Sequence, residues 1–329
     1  MISAMPRQQT AATILAACAV LLTSAIIPCS ARAAEFVERP YDPPVGSRWI
    51  VESEMKSEET KPEGVKTLES KSRAELMIQE RTADGFRVAY VNRGVTLGGT
   101  SPSVPLLRLA FKPMENVVIR AETDRSGKPV RVENLGEARK AMMAMRDNIL
   151  KPFADKPQVA EILTQIMANL LDVDEQTAAK HYLDELPQLA KTQNTGMKPG
   201  EIRRTSDAMP NPFGGGQLKS NVMVHLVSAD AGTGKAQYVI TRSYDAESMK
   251  DSLAGITRRM MMATGEKVTA EQVEKMLKEM NLTLDERAVI DVENGVTRKI
   301  SETTHHVVSA RGHALTKHQV KTVVVTPVS

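Results

Sequence analysis

The chain has little cysteine and few aromatic residues. It holds two cysteines, Cys18 and Cys29, and its aromatic content is 3% with a single tryptophan. Both cysteines lie before Ser30, so the chain beyond that point has neither thiol nor disulfide. An oxidising compartment permits disulfides without requiring them, and here packing alone holds the fold. The scarcity of rings argues against an aromatic-lined sugar cleft and against a base-stacking surface. An excess of one charge is also missing, with 43 basic against 40 acidic residues. The signs alternate closely from Glu52 to Lys61. A nucleic-acid partner, which calls for a basic patch or stripe, is not expected.

A long apolar run occurs near the start, from Ala11 to Ile27. Arg7 precedes it, and Ala31-Arg32-Ala33 follows, with small residues three and one positions before a cut after Ala33. This is the pattern of a secretory signal peptide spanning 1–33. A transmembrane anchor is the rival reading, and Pro28 with the small-residue exit favours cleavage. Pro28 directly before Cys29 also spoils a lipid-attachment signal. The expected mature chain is exported, periplasmic or secreted, and carries no transmembrane span.

Strand and helix patterns then alternate in blocks. Trp49-Ile50-Val51 opens a first strand, Ser70 to Arg81 alternates, and Asp84-Gly85 turns into a return strand at Phe86 to Val91. Glu59 to Gly64 reads as a polar loop. Short strands are expected at Val117 to Ala121 and Val130 to Val132, around the turn Asp124 to Gly127. Leu135, Ala138, Met142, Met145 and Ile149 step by three and four, which predicts a helix. Pro157 starts a second, with Met167 on its stripe, and Asp172 or Asp174 caps a third. The breaker-rich stretch from Lys191 to Gly200 is the best internal boundary. It divides an N-terminal sheet with helices, 34–195, from a related C-terminal sheet-and-helix half, 196–329, and the two can also pack as one unit.

The second part repeats the style of the first. Val222 to Val227 and Ala236 to Arg242 read as paired strands, and Asp245 caps a helix bearing Met249 and Met260. Thr269 and Gln272 form a capping box for another helix, with Met276 and Met280 on its inner side. Asn294-Gly295 marks a hairpin, and Val296 to Ala310 pairs with Leu315 to Val325 around Arg311-Gly312. The predicted class is α+β: curled antiparallel sheets covered by amphipathic helices, the two halves reading as distant versions of one plan. Chance spacing of glycine turns in any antiparallel protein is the alternative to duplication.

The signal peptide followed by a proline–glycine–aromatic entry, Pro44-Val45-Gly46-Ser47-Arg48-Trp49, resembles uncharacterised secreted bacterial families. The layout also loosely resembles the periplasmic lipoprotein-carrier type of fold, in which a curled sheet under helices encloses a greasy pocket. That resemblance implies an envelope location and a hydrophobic ligand, and identifies no binding residue.

Chemical motifs are weak. Gly214-Gly215-Gly216 lacks a phosphate-binding Lys-Ser/Thr ending, and Ala231-Gly232-Thr233-Gly234-Lys235 sits between two strands, where a hairpin turn explains it. A two-residue turn at Arg311-Gly312 would set His305 opposite His318, the weak candidates for a metal; no metal site and no cofactor are expected. No Gly-x-Ser-x-Gly elbow is present. The methionines Met142, Met145, Met167, Met249, Met260, Met276 and Met280 are the candidate lining of a site, since methionine adapts to irregular apolar partners. The expected function is a non-enzymatic envelope protein binding an apolar ligand, such as a lipid, or an apolar partner segment. A structural or interaction protein without a pocket is the alternative, and a secreted hydrolase is another.

Overall fold

Long alternating segments run through both halves, and they pair in chain order. The computed structural model describes residues 39–183, 186, 189, 192, 195–210, 217–251, 253–254, 269–310 and 313–328. The first meander comprises β1 (Arg48–Lys61), β2 (Gly64–Arg81), β3 (Gly85–Gly98), β4 (Val118–Asp124) and β5 (Pro129–Val132). The second comprises β6 (Ile202–Pro210), β7 (Gln217–Asp230), β8 (Lys235–Tyr244), β9 (Asn281–Glu293), β10 (Val296–Ala310) and β11 (His313–Pro327). They join into one antiparallel sheet of eleven strands, in the order β5-β4-β3-β2-β1-β11-β10-β9-β8-β7-β6. The join is β1 against β11, from Trp49 opposite Pro327 to Thr60 opposite Thr316. The sheet is open, with β5 and β6 as its edges.

The two halves are thus parts of one sheet, and repetition of one plan is not seen in it. The chain runs outward from β1 to β5 and then inward from β6 to β11, so each half completes the other. Residues Phe36–Ser329 accordingly form one compact unit. The strands also exceed their predicted lengths. The polar stretch after Glu59 continues as strand to Lys61, because its backbone pairs on both sides, with β2 and β11. β2, at 18 residues, spans roughly 60 Å.

Five helices are described: α1 (Val104–Phe111), α2 (Leu135–Leu150), α3 (Pro157–Leu171), α4 (Glu175–Tyr182) and α5 (Ala270–Lys278). Asp174 caps α4 by accepting from the Thr177 N–H, and Thr269 and Gln272 make the predicted capping box on α5. Asp245 accepts from the Ser248 N–H at the start of a further helical segment. Helix α1 has no counterpart among the sequence expectations. Its signal was there: Pro105 in the first turn, and Val104, Leu107 and Phe111 on one stripe. α1, α2 and α4 lie against β3, β4 and β5, respectively.

The apolar side of each strand faces one shared core. Trp49, Leu76, Ile78, Val88 and Ile119 come from the first meander, and Leu226, Tyr238, Ile290, Ile300 and Val323 from the second. Leu183, Leu186 and Leu189, arriving from the chain after α4, fill the space between them. The Thr297 hydroxyl, fully buried, donates to the Leu189 carbonyl at 2.6 Å and fixes this plug to β10. The entry segment straps the same end. Arg39 bonds Asn294, the Tyr41 ring meets Phe86 edge-on at 5.5 Å, and Asp42 pairs with Arg81. The Asn294-Gly295 turn has positive φ at both residues. A side chain at Gly295 would meet the Pro40 carbonyl at 2.3 Å, so glycine is required there.

Candidate functional site

Further along the same strands, the inner face changes character. Ser53, Ser72 and Asn92 form a border, and beyond it lies a cavity of about 600 Å³ between the sheet and the helices. Its helical wall is Leu107 and Phe111 of α1, Met114 of the following 3₁₀ turn, Met142 and Met145 of α2, and Tyr182 of α4. Its sheet wall includes Met55, Leu68, Val95 and Leu97. Strand alternation sets these side chains on the inner side, since Met55 follows Trp49, Val51 and Ser53 at a period of two.

One row across the strands carries the chemistry of the site. Cross-strand partners give Glu302 of β10, Lys321 of β11, Met55 of β1, Ser70 of β2 and Leu97 of β3. All five line the cavity. Neighbouring strands are about 4.8 Å apart, so the row runs roughly 19 Å from a charged pair to an apolar end beneath α1. The Arg108 guanidinium donates to the Leu97 carbonyl at 2.9 Å and pins α1 over that end. Gln319 adds a second polar group beside Lys321.

Three of the predicted methionines meet here. Met142 and Met145 line the cavity, and Met142 packs with Met167 and Leu171 in a small cluster behind it. The stripe spacing that predicted α2 and α3 explains this meeting. Met249 is buried and Met280 half-buried, both in the C-terminal half and away from this lining. Met260 and the side chain of Met276 lie outside the described residues, as do the leader at 1–33, the turn at Arg311-Gly312 and the triple glycine. The contributions of α1 and of Glu302 and Lys321 were missed by sequence reasoning. The Lys321 signal was in the alternation, two positions before buried Val323.

The predicted histidine register is present. His305 faces His318 across β10 and β11, with ring centroids 6.4 Å apart. Both are exposed on the outer face, flanked by Glu58 and Asp285. Among the described residues, no group of three or more metal-ligating side chains forms.

The outer face is a water-facing surface of ion pairs. Lys71 pairs with Glu54 at 3.0 Å, and Arg93 with Glu75 at 2.8 Å. Arg131 grips Glu122 with two hydrogen bonds, at 2.7 and 2.8 Å. Hydrogen bonds from Arg93 and Arg131 hold the Glu75 and Glu122 carboxyls below the usual range. Among the described residues, every displaced carboxylate is displaced downward by such bonds, as in ion pairs and capped turns. None is raised toward the range of a general acid. No helix among the described residues is long and apolar enough to cross a membrane.

No protein-family model and no curated protein matches the chain. Among solved structures, the chain aligns over 86% of its length with a lipovitellin structure concerned with lipid–protein interactions, at 10% identity and a TM-score of 0.40. It spans a quarter, 25%, of that chain. It also aligns with Pseudomonas aeruginosa OpdL, at 8% identity over 86% of this chain and 99% of the other, with a TM-score of 0.22. An outer membrane channel from Pseudomonas putida F1 aligns at 7% identity over 88% and 98% of the two chains, with a TM-score of 0.17. All three scores lie below the range in which two chains share a fold.

Proposed function

We propose that this is an exported cell-envelope protein that binds an apolar or amphipathic small molecule in the cavity between α1, α2 and the inner face of the sheet. The single observation that carries the reading is that cavity. Its volume of about 600 Å³ falls within the ~300–1,000 Å³ typical of ligand sites. Its helical wall is apolar, with Leu107, Phe111, Met114, Met142 and Met145, while serines, Asn92, Gln319, Glu302 and Lys321 stand among the apolar side chains of its sheet wall. The methionines make a lining that adapts to flexible chains. The ion pairs on the outer face support a sheet that works in water, because a lipid-embedded barrel presents an apolar band outward.

Protein purified from membrane-containing cells is expected to release an amphiphile when analysed by native mass spectrometry. Leu107→Trp and Met145→Trp fill the cavity from its two helices and are expected to reduce the bound fraction. An empty wild-type protein that also fails to take up added dodecyl-chain amphiphiles would sink the reading.

An apolar segment of a partner protein is the second reading. It is favoured by exposed apolar side chains on the two roofing helices, Leu109 and Phe111 on α1 and Met143 on α2. Crosslinking from Leu109 separates the two: a discrete protein adduct supports a partner segment, and labelling by a photoreactive lipid supports the small-molecule ligand.

A further inference from the structure

A row of four side chains of metal-ligating type crosses the outer face of the sheet. Asp285 of β9 faces His305 of β10, His305 faces His318 of β11, and His318 faces Glu58 of β1. Each of these strands is paired along both edges, so the backbone holds the four positions at fixed spacing. The two imidazole centroids are 6.4 Å apart. Imidazoles that share one ion through bonds of about 2 Å have centroids roughly 5–6 Å apart. Both rings are exposed, and a small turn of each side chain closes the difference.

The flanks set this row apart from the rest of the outer face. Elsewhere the carboxylates are matched to cations, as Glu54 is to Lys71 and Glu75 to Arg93. Here the next place beyond Glu58 holds Thr67, and the next beyond Asp285 holds Ser243. The same-face cations on these two strands, Lys56 and Arg287, stand one row away, about 7 Å along the strand. Each carboxylate lies on the far side of its histidine from the other ring. A metal-ligating histidine commonly gives its second ring N–H to a carboxylate in that position. The order carboxylate–imidazole–imidazole–carboxylate supplies such an acceptor on both sides. It is also consistent with the finding that no three ligands converge on one point among the described residues.

We infer that His305 and His318 chelate one divalent transition-metal ion on the outer face, with Glu58 and Asp285 as the acceptors that orient the two rings and water completing the ion's shell. Imidazole suits zinc, nickel and copper, and copper(II) stands highest in the order of affinities. Calcium, which takes six or more oxygen ligands, is not favoured. The site lies on the opposite side of the sheet from the cavity and is independent of it.

The test titrates protein free of chelators and of any added histidine tag with copper(II), zinc(II) and calcium, followed by calorimetry. The copper complex is then read by electron paramagnetic resonance. One copper ion per chain is expected, bound more tightly than zinc and coupled to two nitrogens, with no calcium bound. Loss of an outer acceptor weakens a metal site by roughly 10–100-fold. Glu58→Gln and Asp285→Asn should each weaken copper binding by about tenfold, and His305→Asn and His318→Asn by more. His225→Asn, on β7, should leave the affinity unchanged. No copper binding at micromolar concentrations overturns the inference, as does wild-type affinity in either His305→Asn or His318→Asn. Wild-type affinity in both carboxylate variants overturns the part given to Glu58 and Asp285. The wild-type spectrum decides the nitrogen count even where a variant fails to fold.

Discussion

Toward Trp49 the inner face of the sheet is sealed by Leu183, Leu186 and Leu189, whereas toward Met55 and Lys321 the same strands border an open space. The strands, their alternation and their hydrogen bonding are alike in the two regions. The difference lies in what arrives against them. At the sealed end a leucine plug and the Arg39–Asp42 strap cross from one meander to the other. At the open end, helices α1 and α2 form a roof over β3 and β4 and leave room beneath. A sheet face thus becomes core or cavity wall according to its cover, and its side chains differ accordingly. Ile78, Ile290 and Val323 stand at the first, and Ser70, Gln319 and Lys321 at the second.

The largest expected effect breaks the sealed end. Leu183→Ala leaves a cavity among buried side chains and should destabilise the protein by about 2–5 kcal/mol in urea unfolding. A loss no greater than that of an exposed leucine would show that the plug does not hold the two meanders together. Thr297→Val comes next. It removes the buried hydroxyl that donates to the Leu189 carbonyl, and loss of that bond should cost about 0.5–1.5 kcal/mol. An unchanged urea midpoint would mean that the plug is fixed by packing alone.

At the open end, truncation should matter less. Met55→Ala removes a half-buried side chain beside existing space and should cost about 1 kcal/mol or less. A loss as large as that of Leu183→Ala would show the two regions to be equally packed. The smallest effect is one of pH. Burial lowers the His306 pKa below 6.5, and Lys317 and His305 lower it further. The unfolded chain then takes up a proton at higher pH than the folded one. Stability from this group is present above about pH 6.5 and is lost as the pH falls below that value. His306→Gln should flatten the decline in stability between about pH 7 and 5, and an unaltered slope would assign the decline to other groups.

Much of the local structure was legible. The Asn294-Gly295 turn, the Thr269–Gln272 box, the Asp174 cap and the helix from Leu135 follow from short-range rules. That Met142, Met145 and Met167 face apolar neighbours was legible from their stripes, because helical period reports which side of a helix is apolar. It does not report what that side meets, and Met249, though buried, is not among the residues lining the cavity. Glu302 and Lys321 were not legible as a pair. Their chemistry depends on the register between β10 and β11 and on the empty space in front of both.

The sequence by itself determined the period of each segment, the turns and the caps, since these depend on residues a few positions apart. Only the tertiary structure decided that β1 closes on β11, making one sheet of two halves, and that a single inner face is sealed at one end and open at the other. The reason is range. Alternation is set within a strand, but burial is conferred by elements distant in the chain, and no local pattern records which of them will arrive.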